Sequence, residues 1–267
     1  MIRLSLPLLV TALFLTACGD GTDRPDMAED NDRSTQTEQQ DAMTAREVMV
    51  HPVYHGSLVL MYAGMTIYVD PHGGAQRYTQ YGAPDLVLIT HTHGDHMDTA
   101  TLNGLDLAAA SLVAPAAVTE ALGDGMFTSA HVLANGESYT WEDIDISAVP
   151  AYNPPPKENF HPQGQFNGYV LDLGGERVYV SGDTEGVPAM RQLDSINVAF
   201  VCMNLPYTMD VNQAADAVLA FAPDVIYPYH YRNQDGSFSD VEEFQRIVKA
   251  GNGDIEVRLE DWYDGGE

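Results

Sequence analysis

The chain is 267 residues long and carries 39 acidic against 12 basic side chains, a formal net charge of −27. A surface this acidic repels nucleic acid and anionic lipid headgroups, so nucleic acid is excluded as an expected partner. With only two cysteines, Cys18 and Cys202, the chain is not a disulfide-built scaffold, and its length suits one α/β domain with appendages.

In chain order, the first segment reads as an export signal. Arg3 supplies the charge, residues 4–15 form an apolar core too short to span a bilayer, and Leu15-Thr16-Ala17-Cys18 closes it. The closing tetrapeptide resembles a bacterial lipobox. That implies a signal peptide over residues 1–17, lipidation of Cys18, and anchoring of an exported lipoprotein at the periplasmic face of a bacterial membrane. Residues 18–47 then read as a disordered acidic tether. Stretches 19–26 and 34–41 hold almost no apolar side chains, too few to offset chain entropy by burial.

Residues 48–267 read as one folded domain. The runs 58–62 and 65–69 flank Ala63-Gly64 as a hairpin. Residues 86–90 form a buried strand, and Asp98 marks a helix start. A short helix runs from Pro115 to Leu122 and stops at Gly123. A strand is expected over 143–149, a second hairpin over 169–181 around Gly174-Gly175, and further strands over 198–203 and 225–228. Helical spacing marks 212–221 and 240–250. The order predicts an α/β fold: two mixed β-sheets packed together with helices outside, an αββα sandwich. Cys202, within an apolar strand, is expected to be a small core residue.

Four candidate metal ligands fall in His91-Thr92-His93-Gly94-Asp95-His96, directly after the apolar run 86–89. In extended chain His91 and His93 point to one side. Gly94 is expected to let the chain turn, bringing Asp95 and His96 to a second point nearby. Imidazoles with a carboxylate suit a borderline divalent ion such as zinc. Three more polar residues stand where strands end or on a long loop: Asp183 after Gly182, His230 after Tyr229, and His161 within 152–164.

With these residues in view, the chain resembles the metallo-β-lactamase superfamily of binuclear metal hydrolases, in the branch of L-ascorbate-6-phosphate lactonase. The resemblance rests on His91-x-His93-x-Asp95-His96, Gly182-Asp183-Thr184, the late His230 and Asp70-Pro71, over roughly residues 50–262. It implies two divalent metal ions, zinc or else manganese. His91, His93 and His161 would hold one, Asp95, His96 and His230 the other, and Asp183 would bridge them. His131 is the rival to His161. Asp70 is a candidate partner for a ligand imidazole or a turn cap. His51, His55 and His72 could line the cleft, but surface roles are the expectation for them.

The chemistry implied is attack by a hydroxide shared between two cations on a small ester, lactone or phosphoester, with the developing charge stabilised by the metals. Asp95 would orient the hydroxide, and the Tyr207 phenol is a candidate donor to the oxyanion. Arg232 could pair with an anionic substituent, and residues 152–168 could close as a lid over a small-molecule substrate. A phosphodiesterase of the same fold and a non-catalytic periplasmic metal-binding lipoprotein are the alternatives.

Overall fold

A computed structural model describes residues 47–263; the signal peptide, Cys18 and the tether expected upstream lie outside the described residues. The first sheet has six strands in chain order: β1 (Met49–Tyr54), β2 (Ser57–Tyr62), β3 (Met65–Val69), β4 (Leu86–Leu88), β5 (Ser111–Ala114) and β6 (Ser129–Val132). The second has seven, also in chain order: β7 (Ser138–Trp141), β8 (Ile144–Ala151), β9 (Phe166–Leu173), β10 (Glu176–Val180), β11 (Val198–Cys202), β12 (Val225–Tyr229) and β13 (Glu256–Val257). Each sheet begins antiparallel and becomes parallel, at β3 in the first and at β10 in the second. This is the expected pair of mixed sheets.

Covering both faces of a sheet demands strands that are apolar on both sides. In β2, Leu58 and Leu60 join the core shared with Ile144, Ile146 and Val178 of the second sheet. Val59 points the other way and packs with Tyr68, Tyr78, Leu102 and Val118. Leu102 and Val118 come from the short helices α1 (Thr99–Gly104) and α2 (Ala116–Leu122). The Asp98 side chain caps α1 by accepting from Ala100 and Thr101 N–H, as its position before the helix predicts. A one-turn helix α3 (Pro188–Arg191) follows β10. α4 (Val211–Phe221), closed by an Asp210–Gln213 capping box, lies against α5 (Val241–Gly251).

The carboxyl ends of β3, β4, β10 and β12 carry Asp70, the histidine run, Asp183 and His230 respectively. Open α/β sheets place ligands at such strand ends. The two sheets are stitched together there by backbone. His230 N–H donates to His55 O at 3.2 Å, and His55 N–H donates to Trp262 O at 3.1 Å. His55, Asp70 and His230 all have left-handed backbone, with φ of 58°, 47° and 48°. Non-glycine residues in that region carry roughly 1–3 kcal/mol of strain each and gather at functional sites.

Candidate metal centre

Asp183 is the centre of the cluster. Its Oδ1 lies 3.4 Å from His96 Nε2 and 3.3 Å from His230 Nε2, and its Oδ2 lies 3.3 Å from His161 Nε2. It emerges from β10 through Gly182, whose φ of 59° and close approach to Asn167 O and Thr90 Cβ leave no room for a side chain. On one flank, His91 Nε2 and His93 Nδ1 lie 3.1 Å apart and share a group with His161. On the other, Asp95 Oδ2 lies 3.2 Å from His55 Nε2 and 3.4 Å from His230 Nε2.

Among the described residues, three groups of side chains have donor atoms mutually within 4.8 Å and could hold a metal ion: His91, His93 and His161; His55, Asp95 and His230; and His91, His96 and Asp183. All seven residues expected from the sequence meet here. The grouping differs from expectation, because His55 takes the place beside Asp95 and His230, while His96 stands with His91 and Asp183. The reason lies behind His96. Its Nδ1–H donates to Asp70 Oδ2 at 2.7 Å, which aims Nε2 at Asp183. His55, expected at the surface, is buried. Its ring lies 3.9 Å from that of His230, and its Nδ1 is 2.8 Å from the Tyr263 hydroxyl.

The donors fit a cation. Two donors on one tetrahedral zinc, each about 2.0–2.2 Å from it, are about 3.3–3.6 Å apart; the spacings around Asp183 match. His96 Nε2, both nitrogens of His161 and of His230, and Asp183 Oδ1 are buried and have no hydrogen-bond partner. A dry interior penalises such orphans by about 1–3 kcal/mol each, and a divalent ion beside Asp183 removes that penalty for the nitrogen of each ring that faces it.

One carboxylate fixes two of the imidazoles. Thr90 Oγ1 donates to Asp70 Oδ2 at 2.6 Å and so accepts from His91 Nδ1–H at 2.9 Å. His91 and His96 both hold a proton on Nδ1, which turns each Nε2 toward the centre. Burial, then the neighbouring His96, holds the His91 pKa well below the usual histidine value. For His96, burial is outweighed by the carboxylates of Asp183 and Asp70, which push its pKa well above the ordinary value. Burial would raise Asp183, but His230 and His96 hold its carboxyl well below the carboxylate range. Asp95 is also held low, because the close approach of the His230 and His55 rings overcomes its desolvation. His55 is pushed down to about 3, by burial first and then by His230.

Other expectations fare differently. Gly94 has no left-handed backbone and faces open space, so the turn between His93 and Asp95 does not depend on it. His131 stacks on Tyr139 at 3.7 Å, on the edge strand β6, and joins none of the three groups. Tyr207 packs edge-on against Phe160 at 5.2 Å, and none of its contacts among the described residues reaches the cluster. Phe166 starts β9 and is buried against the rings of His91 and His93, a fixed wall rather than part of a lid. The 152–164 loop is tied down. Asn153 N–H donates to His161 O, its side chain to Tyr207 O at 2.6 Å, and Lys157 Nζ to Thr208 O at 2.7 Å. Cys202 is buried and free, its thiol pushed up to about 12 by burial and then by Asp183, so it supplies no nucleophile.

Comparison with known proteins agrees with this geometry. A family model described as a beta-lactamase superfamily domain matches residues 49–230. A UPF0173 metal-dependent hydrolase of Thermoplasma acidophilum is 30% identical over 168 residues, 62% of this chain and 73% of that protein. A crystal structure from Parabacteroides distasonis, named provisionally as a metal-dependent hydrolase, is 37% identical. It superimposes with a TM-score of 0.72 over 81% of this chain and 94% of that one. The metallo hydrolase Igni18 of Ignicoccus hospitalis shares the fold at 24% identity, with a TM-score of 0.68 over 82% of this chain and 96% of that one. The chain belongs to the beta-lactamase superfamily of metallo-β-lactamase-fold domains.

Proposed function

We propose that this chain is a metal-dependent hydrolase that holds two divalent cations and cleaves a small ester, lactone or phosphoester. The observation that carries the reading is the Asp183 carboxylate. It presents one oxygen to His161 and the other to His96 and His230, amid buried ring nitrogens that have no other partner. The relatives named metal-dependent hydrolases support the same class.

His91, His93 and His161 would hold one ion, and Asp95, His230 and His55 or His96 the other, with Asp183 between them. When bound, such ions lower the pKa of water toward ~7 and polarise a substrate carbonyl or phosphoryl oxygen. The chain's own residues supply the rest. Asp70 and Thr90 lock the tautomers of His96 and His91 before substrate arrives. Asp95, the carboxylate of the cluster most open to solvent, with 38% of its side chain exposed, orients the attacking water. Phe166 packs against the rings of His91 and His93 and fixes that side of the cluster.

The test is elemental analysis of purified, dialysed protein beside assays with a lactone, a p-nitrophenyl ester and bis-p-nitrophenyl phosphate. Two equivalents of zinc or manganese per chain, and turnover abolished by a chelator and restored by metal, are expected. Tightly held metal with no turnover of any substrate would replace the hydrolase with a metal-binding role.

A further inference from the structure

The chain is poor in cations, and most of those described are already neutralised by a carboxylate. Lys157 pairs with Glu185, Arg177 with Asp194, Arg191 with Asp216, Arg246 with Glu243 and Arg258 with Glu256. Arg232 is different. It follows the cluster residue His230 by two positions, so their Cα atoms are at most about 7 Å apart. Its Nη1 donates to the Tyr54 hydroxyl at 3.2 Å. The guanidinium lies over the rings of Tyr54 and Tyr263, 5.7 and 5.2 Å from their centroids. No carboxylate pairs with it among the described residues.

The arginine is built onto the metal centre. Its backbone N–H donates to the Tyr263 hydroxyl at 3.0 Å, that hydroxyl meets His55 Nδ1 at 2.8 Å, and His55 Nε2 meets Asp95 Oδ2 at 3.2 Å. The loop that carries it is closed by Asn233 N–H to Ser237 O and Ser239 N–H to Tyr231 O, both 2.8 Å, and by the pairing of Arg232 with Phe238. A guanidinium has five N–H donors in a planar fork suited to carboxylate or phosphate. Here one donor is used, the rings of Tyr54 and Tyr263 lie against the guanidinium, and the residue is half-buried. In a chain of net charge −27, a cation left unneutralised at this place is the feature that would draw in an anion.

We propose that Arg232 is the anion-recognition residue of the cleft, and that the substrate carries a carboxylate or phosphate group close to the bond that is broken. The proposal rests on the hydrolase reading for the identity of that bond. Tyr54 and Tyr263 hold the guanidinium in place; His72, stacked on Tyr54 at 5.7 Å, completes that wall.

The experiment compares the wild-type protein with Arg232→Gln and Arg232→Lys. One arm measures kcat/KM for mono-p-nitrophenyl succinate, which is anionic, and for p-nitrophenyl butyrate, which is neutral. The other measures phenyl phosphate binding by calorimetry. The expected result in Arg232→Gln is a tenfold or greater fall in the ratio of anionic to neutral ester, carried mainly by KM, or a comparable weakening of phenyl phosphate. Whichever arm responds names the anion, and Arg232→Lys recovers part of the effect. A general loss of structure would lower both esters together, leave the ratio unmoved and weaken phenyl phosphate too, so the phosphate arm is read only in a variant that keeps the wild-type melting temperature. An unmoved ratio together with unchanged phenyl phosphate binding overturns the proposal. If neither ester is turned over by wild type while phenyl phosphate still depends on Arg232, the anion site stands and the hydrolase reading falls.

Discussion

The Asp70 carboxylate holds the His96 imidazole from behind, Oδ2 to Nδ1–H at 2.7 Å, with both side chains fully buried. The other Asp70 oxygen accepts from Thr90 N–H at 2.7 Å, so the carboxylate is locked as firmly as the ring it orients. Partners of this kind typically contribute 10–100-fold to metal affinity. Asp70→Asn keeps the shape but cannot accept equally at both oxygens. It is expected to weaken metal binding by about that factor while the fold survives, as read by competition with a chromogenic chelator. Asp70→Ala leaves Thr90 N–H and His96 Nδ1–H unpaired in the interior. At about 1–3 kcal/mol for each orphan it should also lower the melting temperature measurably.

Removal of metal exposes a pH dependence whose sign follows from the histidines. His55 (about 3), His72, His91 and His93 have pKa values lowered in the fold, in each case by burial first. The unfolded chain, with ordinary values near about 6.5, therefore takes up protons that the folded chain refuses. Their contribution to stability is present above that value and is lost as pH falls below it. His96 has a raised pKa, and its contribution is already complete below about 6.5, so it cannot offset the loss. Asp95 and Asp183, both held low, lose their contributions only at still lower pH. Chelator-treated protein is expected to show a urea midpoint that falls steadily from pH 6.5 to pH 5. A midpoint that held constant or rose over that interval would contradict the assignment.

Gly56 and Gly94 offer a paired test of how tightly the cluster is packed. A Cβ on Gly56 would lie 2.8 Å from His96 Cε1 and 3.3 Å from His230 Cδ2, whereas one on Gly94 meets nothing within 4 Å. Neither glycine has left-handed backbone, so alanine strains neither main chain. His96 cannot swing aside without leaving Asp70. Gly56→Ala is thus expected to cost metal affinity, tenfold or more, and Gly94→Ala to leave it within about twofold, by the same chelator competition. Equal behaviour of the two variants would mean that His96 and His230 have more freedom than their contacts imply.

The strands with both faces covered were legible because burial on two sides requires a continuous apolar run, as in β2, β3, β4 and β11. β1 was not legible. It is an edge strand of mixed polarity with Pro52 at an irregularity in its pairing, which hides the alternation. β6 and β7 are four-residue strands, largely exposed, and carry the same weak signal. The histidine run could be read from local spacing alone. His55 could not, because its partners Tyr263 and His230 are distant in sequence and meet it only when β1 and β2 dock on the end of β12. The one available signal was a histidine immediately before Gly56-Ser57 and a fully apolar strand.

The two rivals for the third histidine separate cleanly by environment. His161 is buried, has no hydrogen bond to either ring nitrogen, and lies 3.3 Å from Asp183 Oδ2. Its backbone carbonyl is pinned by Asn153 N–H at 2.9 Å, so the loop delivers the ring to one place. His131 lies flat on Tyr139 in the β6 edge strand. If the cluster binds two ions, His161→Ala removes a donor from one of them and should reduce the metal content toward one equivalent per chain, with turnover lost. His131→Ala gives up only a surface ring contact and should leave two equivalents and near wild-type activity. Elemental analysis of the two variants side by side decides the matter: loss of metal from His131→Ala with retention in His161→Ala would reverse the assignment and detach the 152–164 loop from the chemistry.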